Sequence, residues 1–413
     1  MNILYLEHYA GSDKYGMEFR PFYMAREWVK AGHSVTILAA DHSHLRRKNP
    51  DVPADFTEEW DSGVRFCFFK TRKYRRNDLF RVANMLGFVK TVKKNAAEIV
   101  RRYAPDVIIH SSTYPMDGYA ARAIRALCGA PCVYEIHDLW PMSLVMLAPW
   151  VGENNPVIRY VQKAEDACYR EDDAVVSILP DAVRHIRERG FDAIPYTCVP
   201  NGVVLSQQPP LPLAPELTRL FDEWKSRGRF VVLYAGGHAR SNALDCYIEA
   251  AGLVDPSVQL VLVGNGDQKP RLQELAQNAP NVTFLDGVEK GMIPSLLARA
   301  DCLYLGAKDH PLYTYGVGMN KIFDYMLAAR PVINGVRSGG NPLDLSGCAV
   351  TVPPEDAAAL AQGIETVRTM TPETRQAMGQ KGREYVVKNH AYTVLADKFL
   401  QVLTNLGKEG GHS

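Results

Sequence analysis

Short apolar runs at Asn2–Leu6, Val35–Ala39, Val64–Phe69, Val107–Ile109, Cys132–Ile136 and Ala174–Ile178 alternate with stretches whose apolar positions recur at helical spacing. That alternation predicts a parallel sheet with helices on both faces. Between the first two runs, Phe19–Ala31 reads as a helix that stops at Gly32-His33. The loop 10–17, with Gly11 and Gly16, therefore lies at the carboxyl end of the first strand, where open α/β sheets bind ligands. A second series follows the Pro-rich segment 207–215: Phe230–Ala235, Gln259–Val263, Val282–Leu285, Cys302–Leu305, Pro331–Asn334 and Ala349–Val352. The pattern predicts an α/β protein of two doubly wound domains facing a cleft, residues 1–206 and 216–392, joined by a linker. A last segment, 393–413, helical over about Thr393–Leu406, is free to pack back on the first domain.

Composition changes this picture little. The 413 residues carry Lys+Arg 47 against Asp+Glu 46, net charge +1, so nothing global points to nucleic acid. At 46% hydrophobic and 23% charged the chain is globular, and its longest membrane candidate, Leu144–Val151, is short and broken by Pro149. The first ten residues carry Glu7 and His8 within an apolar stretch and read as a strand, not a signal peptide, which places the chain in the cytoplasm. Eight cysteines form no CxxC pair, and no metal site is expected at Cys128 and Cys132, which end a helix and start a strand.

Charge is uneven locally. From Lys70 to Arg102 cations dominate, with Leu79, Val82, Met85, Leu86, Val89 and Val92 at helical spacing. Such a helix either lies on an anionic membrane surface or packs on its own sheet and shows its charges to water.

The strongest chemical signal is His310–Ile333, HPLYTYGVGMNKIFDYMLAARPVI, which reads as glycine loop, helix and strand. Gly316 and Gly318 let the backbone approach a ligand, and Asn320 is suited to cap the helix. Lys321 is then a cation in the first turn, where exposed N–H groups already favour an anion. A bound phosphate removes that conflict. Asp324, one turn on, shares its face and could accept from ribose hydroxyls; the alternative is a solvated Lys321–Asp324 pair. After the first strand of the second series comes Gly236-Gly237-His238-Ala239-Arg240, whose Arg240 could fork onto the same phosphate or simply face solvent. His137, in Glu135-Ile136-His137-Asp138, ends a strand of the first series, a place for a ligand contact or a structural histidine.

Several functions are disfavoured. Gly264-Asn265-Gly266 follows a strand but lacks the third glycine and acidic partner of a dinucleotide fold, and no Walker loop, GxSxG elbow, HExxH or strand-end Asp-x-Asp is present.

Taken together, the tandem α/β domains, the glycine loop after the first strand, Val199-Pro200-Asn201-Gly202-Val203, Leu262-Val263-Gly264-Asn265-Gly266 and the Phe323–Ile333 run resemble GT-B retaining glycosyltransferases of the family 4 type. The resemblance spans nearly the whole chain and is nearest to the bacterial surface-polysaccharide, fucosaminyltransferase-like branch. It implies two Rossmann-like domains and a nucleotide-sugar donor, expected to be UDP-linked, as substrate, with no metal and no cofactor. Arg240 and Lys321 would hold the donor diphosphate and Asp324 the ribose; Gly16, Gly236, Gly237, Gly316, Gly318, Met319 and Asn320 would line the donor path, and the base would sit near Gly264 and the loop 286–290. His137 matches the position from which family members contact the donor sugar. Four positions depart from the family pattern: the usual Glu falls on Gly316, the second acid is the shorter Asp324, and the usual Arg and Lys of the second domain's first loop fall on Gly237 and Asn242.

The reading implied is transfer of a hexose or N-acetylhexosamine-type sugar, with retention, to a saccharide acceptor, lipid-linked or oligosaccharide. Glu18 and Arg20 are the acceptor-contact candidates, and the basic helix would hold the protein peripherally on the inner face of the plasma membrane. A UDP-sugar 2-epimerase on the same architecture and a catalytically silent scaffold of a polysaccharide assembly complex remain the alternatives.

Overall fold

A computed structural model describes residues 1–74, 79–147, 152, 155–206 and 208–409. The chain divides into two compact units. Met1–Pro200 with the C-terminal helix Tyr392–Glu409 forms the first, and Asn201–Ala391 forms the second. The division thus falls at Pro200/Asn201, before the Pro-rich segment expected to be the linker.

The first unit is built on strands β1 (Asn2–Leu6), β2 (Ser34–Ala40), β3 (Thr57–Asp61), β4 (Val64–Phe69), β5 (Val107–His110), β6 (Cys132–Ile136), β7 (Ala174–Ser177) and β8 (Tyr196–Cys198), in the order β3-β4-β2-β1-β5-β6-β7-β8. All neighbours are parallel except β3, which runs antiparallel to β4. Leu6 pairs with Leu38 on one side and His110 on the other, so Glu7, Ser111 and His137 leave the sheet at one edge. Helix Arg20–Lys30 buries Trp28, whose indole N–H donates to Ala396 O at 2.9 Å while its ring meets Phe399 edge-on. That contact seats the C-terminal helix on the first unit.

The basic segment is only partly the amphipathic helix expected. Over Leu79–Lys94 the residues Met85, Phe88, Val89 and Val92 are core, whereas Phe80, Val82 and Leu86 face water beside exposed Lys90, Lys93 and Lys94. Its Arg75, Arg76 and Asp78 lie outside the described residues.

The second unit contains β9 (Phe230–Ala235), β10 (Val258–Val263), β11 (Val282–Leu285), β12 (Cys302–Gly306), β13 (Val332–Gly335) and β14 (Ala349–Thr351), ordered β11-β10-β9-β12-β13-β14 and parallel throughout. The central strands are buried on both faces, which is why they read as unbroken apolar runs. Helix Asn320–Leu327 is fixed against this sheet by Tyr325, whose buried hydroxyl accepts from Ala235 N at 2.8 Å. Lys321 is one turn earlier on the same face, so the tyrosine aims the lysine at the end of β9. Asn320 does not cap the helix: it is the first helical residue and exposed, and Met319 precedes it with no side-chain cap.

Candidate active site

In the second unit two glycine turns nest together. Gly236-Gly237-His238 leaves β9 and Gly264-Asn265-Gly266 leaves β10, and His238 N donates to Asn265 O at 2.9 Å. A Cβ at Gly264, whose φ is +147°, would come within 2.0 Å of Gly236 O, and one at Gly266 within 2.3 Å of His238 O. No side chain fits either place, so the sequence must supply glycine there.

Lys321 reaches into this nest. Its Nζ donates to Tyr234 Oη at 2.9 Å and Asn242 Oδ1 at 2.8 Å and lies 4.6 Å from the Tyr234 ring centroid. Tyr234 Oη and Asn242 Nδ2 both donate to Gly237 O, at 2.8 and 2.9 Å, so one carbonyl orients both oxygens that hold the ammonium. Lys321 has no carboxylate partner among the described residues, and desolvation pulls its pKa down to about 8. The solvated Lys321–Asp324 pair is not formed. Asp324 keeps accessible surface, yet desolvation pushes its carboxyl up to about 6, opposed by Lys290. His238, fully buried, is held down to about 4 by burial and then by Lys269 and Lys321. Desolvation is the leading cause of all three shifts, and at His238 the charges of Lys269 and Lys321 add to it.

Other donor candidates lie on turns of the same unit. Arg240 is exposed on the short turn Arg240–Asn242, whose last residue holds Lys321. Gly316, at φ +125°, ends the turn Pro311–Tyr315, and Gly318 O accepts from Asn201 Nδ2 at 3.0 Å. The Asn of the Val199–Val203 motif thus anchors the glycine loop before the helix. Sequence reasoning missed Lys269, whose Nζ contacts Gly264 O at 3.0 Å and Asp286 Oδ1 at 2.7 Å and so joins the loops after β10 and β11. It missed Tyr234 and the orienting role of Asn242 as well; only their placement, at the end of an apolar strand and on the turn that follows it, could have marked them.

The first unit holds a second polar group. His137 Nε2 lies 2.8 Å from Ser111 Oγ and 3.3 Å from Glu135 Oε2. Glu135 is completely buried, and besides His137 it binds the hydroxyls of Tyr5 and Ser111 and the Arg20 guanidinium, with Nε at 2.9 Å. Burial opposes charging His137, but the hydrogen bond and charge of Glu135 override it and raise the imidazole to about 9. Glu135 itself stays ionised against its desolvation, chiefly through Arg20. Gly16, at φ +103°, closes the loop, where a Cβ at Gly11 would meet Gly16 O at 1.8 Å.

Arg20 does not fit the acceptor role expected of it. It is 1% exposed, and its other nitrogens donate to Val199 O and Pro200 O, both at 2.7 Å. It braces Glu135 and the end of the unit, leaving no surface for a substrate. Glu18 is half-buried in the same loop.

His110, Cys168 and Asp172 bring ligand-type atoms within 4.8 Å of one another. Both His110 nitrogens are already used, by Asp117 at 3.0 Å and Asp172 at 2.8 Å, and Arg122 lies 3.3 Å from Asp172. The chemistry is that of a buried ion network, in which the two carboxylates overcome desolvation to raise His110 to about 9.

With this geometry in place, comparison with known proteins is informative. Residues 16–202 match the model of the glycosyl transferase 4-like domain and residues 229–370 that of glycosyl transferases group 1. No curated protein matches in sequence. Among solved structures the chain is similar to sucrose-phosphate synthase from Thermosynechococcus elongatus, at TM-score 0.72 and 18% identity, covering 98% of this chain and 99% of that one. It is also similar to Anabaena HepE in complex with UDP and glucose (TM-score 0.67, 16% identity, 98% and 99% covered) and to WaaG, a glycosyltransferase involved in lipopolysaccharide biosynthesis (0.66, 15%, 97% and 99%). Two parallel-sheet units, two matching domains in the same order and these shared folds lead to one assignment: the chain is a GT-B glycosyltransferase, with a glycosyl transferase 4-like domain followed by a group 1 domain.

Proposed function

We propose that the protein transfers a sugar from a UDP-sugar to a hydroxyl of a saccharide acceptor in bacterial surface-polysaccharide synthesis, with retention and without a metal ion. The observation that carries this reading is Lys321: a desolvated ammonium held by two neutral oxygens, beside a glycine nest and a helix start, with no carboxylate among the described residues. An anion there restores the charge balance, and a departing diphosphate is such an anion. Arg240 is assigned the second phosphate contact, Asp324 the ribose hydroxyls, and the backbone near Gly264 and residues 286–290 the base.

The UDP choice draws support from HepE, solved with UDP and with UDP-glucose, and the pathway from WaaG. His137, held cationic by Glu135, is assigned the donor sugar. Negative charge grows on the leaving diphosphate as the glycosidic bond breaks, and fixed cations that need no reorganisation stabilise it.

No helix among the described residues is long and apolar enough to cross a membrane. A lipid-linked acceptor would be met at the surface, and the exposed Phe80, Val82 and Leu86 beside Lys90, Lys93 and Lys94 are assigned that contact.

Calorimetry with UDP in the presence of EDTA tests the reading. Saturable heat is expected. Absence of heat, or heat that returns only with added magnesium, would reject the metal-free donor site.

A further inference from the structure

At the amino edge of the first unit's sheet, the face that carries the core residues Leu6, Leu38 and Cys67 turns polar. The register sets Leu4, Thr36 and Arg65 side by side in the next row out, and Asn2 beside Ser34 in the row beyond. Helix Ala96–Tyr103 packs on this face and stops there, on Ala104 in the left-handed region. Asn2 Nδ2 donates to Ala104 O at 3.0 Å and so ties that stop to β1. Between the sheet and the helix end lies a cavity of about 200 Å³ whose lining includes Asn2, Ser34, Thr36, Arg65, Arg102 and Tyr103. A strand rises about 3.3 Å per residue, so the length of β1 sets this cavity roughly 13 Å from the edge that carries Glu7 and His137.

Charge in the cavity is balanced, but hydrogen bonding is not. Arg65 pairs with Glu58 at 3.8 Å, and Arg102 Nε donates to Glu98 Oε1 at 2.6 Å. The Arg65 contact is too long for a hydrogen bond, its Nε is buried without a partner, and Glu58 Oε1 already accepts from Tyr103 Oη at 2.7 Å. No further hydrogen bond engages either guanidinium among the described residues. A guanidinium offers five N–H donors, and the Arg65 side chain is only 25% exposed, so acceptors other than water are needed there.

Rings hold Arg65 in place. Its guanidinium lies 4.7 Å from the Trp60 ring and 5.3 Å from the Tyr103 ring. Trp60 faces Arg65 across the antiparallel pair of β3 and β4 and keeps 58% of its surface exposed. Aromatic surface beside clustered hydroxyl, amide and guanidinium groups suits a saccharide: the ring packs on the C–H side of a sugar while planar donors reach adjacent hydroxyls. An anion would meet Glu58 and Glu98 as well as the arginines, whereas a neutral polyol supplies acceptors and leaves both ion pairs intact.

We infer that this cavity is a second saccharide site, away from the transfer site, and that it takes one neutral hexose or N-acetylhexosamine ring through Arg65, Arg102 and Thr36 beside Trp60. Its use rests on the transferase reading above: sugar residues already joined and held there keep the growing saccharide at a raised local concentration.

The test uses the full chain without UDP, with nitrogen-labelled tryptophan for NMR, the Trp60 indole signal being identified by its loss in Trp60→Phe. Glucose, N-acetylglucosamine and inorganic phosphate are titrated in turn. The sugars are expected to move the Trp60 signal saturably while phosphate leaves it in place. Sugar affinity should be about tenfold weaker in Arg102→Gln, the loss of one charge-assisted hydrogen bond, and about threefold weaker in Thr36→Val. The indole signal of buried Trp28, in the same unit, reports that both variants fold. Movement with phosphate makes the cavity an anion site and overturns the saccharide assignment. A signal that stays in place with both sugars, or variants that titrate like the parent, overturns the site. Absence of UDP heat in a chain whose Trp60 signal still titrates removes the transferase reading instead and leaves this site standing.

Discussion

His137 in the first unit and Lys321 in the second are both desolvated cations at the carboxyl edge of a parallel sheet, yet their pKa values move in opposite directions. The imidazole is raised to about 9 because Glu135 sits beside it, whereas the ammonium is lowered to about 8 because only neutral oxygens hold it. One charge is balanced by a carboxylate beside it, and the other has no carboxylate partner among the described residues. That difference separates a cation balanced within the fold from one held by neutral oxygens, and it can be broken from either side.

The largest effect is expected at Glu135. Removing it in Glu135→Ala leaves the buried Arg20 without its counter-ion, and losing one partner of a buried pair costs about 3–5 kcal/mol. Urea unfolding should show that loss, and Glu135→Gln, which also removes the charge and turns one accepting oxygen into a donor, should recover only part of it. Equal stability of Glu135→Ala and the parent would mean that the network carries no strain when opened.

Lys321→Ala comes next. It should weaken UDP binding by about 1.5–3 kcal/mol, the range for a hydrogen bond to a charged group, while leaving the fold intact. Unchanged affinity would end the phosphate role of this lysine.

The same lysine gives a smaller, graded signature. Its free-state pKa is lowered to about 8, and a bound diphosphate favours the charged form. UDP affinity should be flat below pH 8 and fall above it as the ammonium loses its proton, and Lys321→Arg should move that fall to higher pH. A pH-independent affinity from 7 to 10 would contradict the assignment.

Folding stability offers the weakest contrast. For His110 and His137 the folded pKa, about 9, exceeds the ordinary histidine value of 6.5, so the native state binds more protons between those limits. Their contribution is complete below pH 6.5 and lost as pH rises through 9. For Lys321 the native state binds fewer protons between about 8 and 10.5, so its contribution runs the other way there. With two histidines against one lysine, urea midpoints should fall from pH 6.5 to 8, fall about half as steeply from 8 to 9 and rise above 9, and Lys321→Met should remove that rise.

Much of this architecture was legible in the residues. Central strands such as Phe230–Ala235 and Cys132–Ile136 are buried on both faces, and that demand writes itself as an apolar run. Edge strands leave no such record. Thr57–Asp61 alternates polar and half-buried residues and pairs antiparallel to β4, and Tyr196–Cys198 has only three residues, so neither stood out from its surroundings. Lys321 was legible because a lysine in a first helical turn after glycines conflicts with the local field. Arg20 misled because an arginine near a glycine loop suggests a ligand, and nothing in one sequence says that a buried Glu135 will claim it.

The sequence by itself determined the two doubly wound sheets, the glycine positions that admit no side chain, and the presence of a cation at the start of the helix Asn320–Leu327, since each follows from local sterics or periodicity. Only the tertiary structure decided which charges are balanced. Whether a histidine is raised, an arginine is spent on carbonyls or a lysine is left with neutral oxygens depends on neighbours brought from distant strands, such as Glu135 beside Arg20 and Tyr234 beside Lys321, and a Coulomb interaction in a desolvated interior is set by distance in space, not separation along the chain.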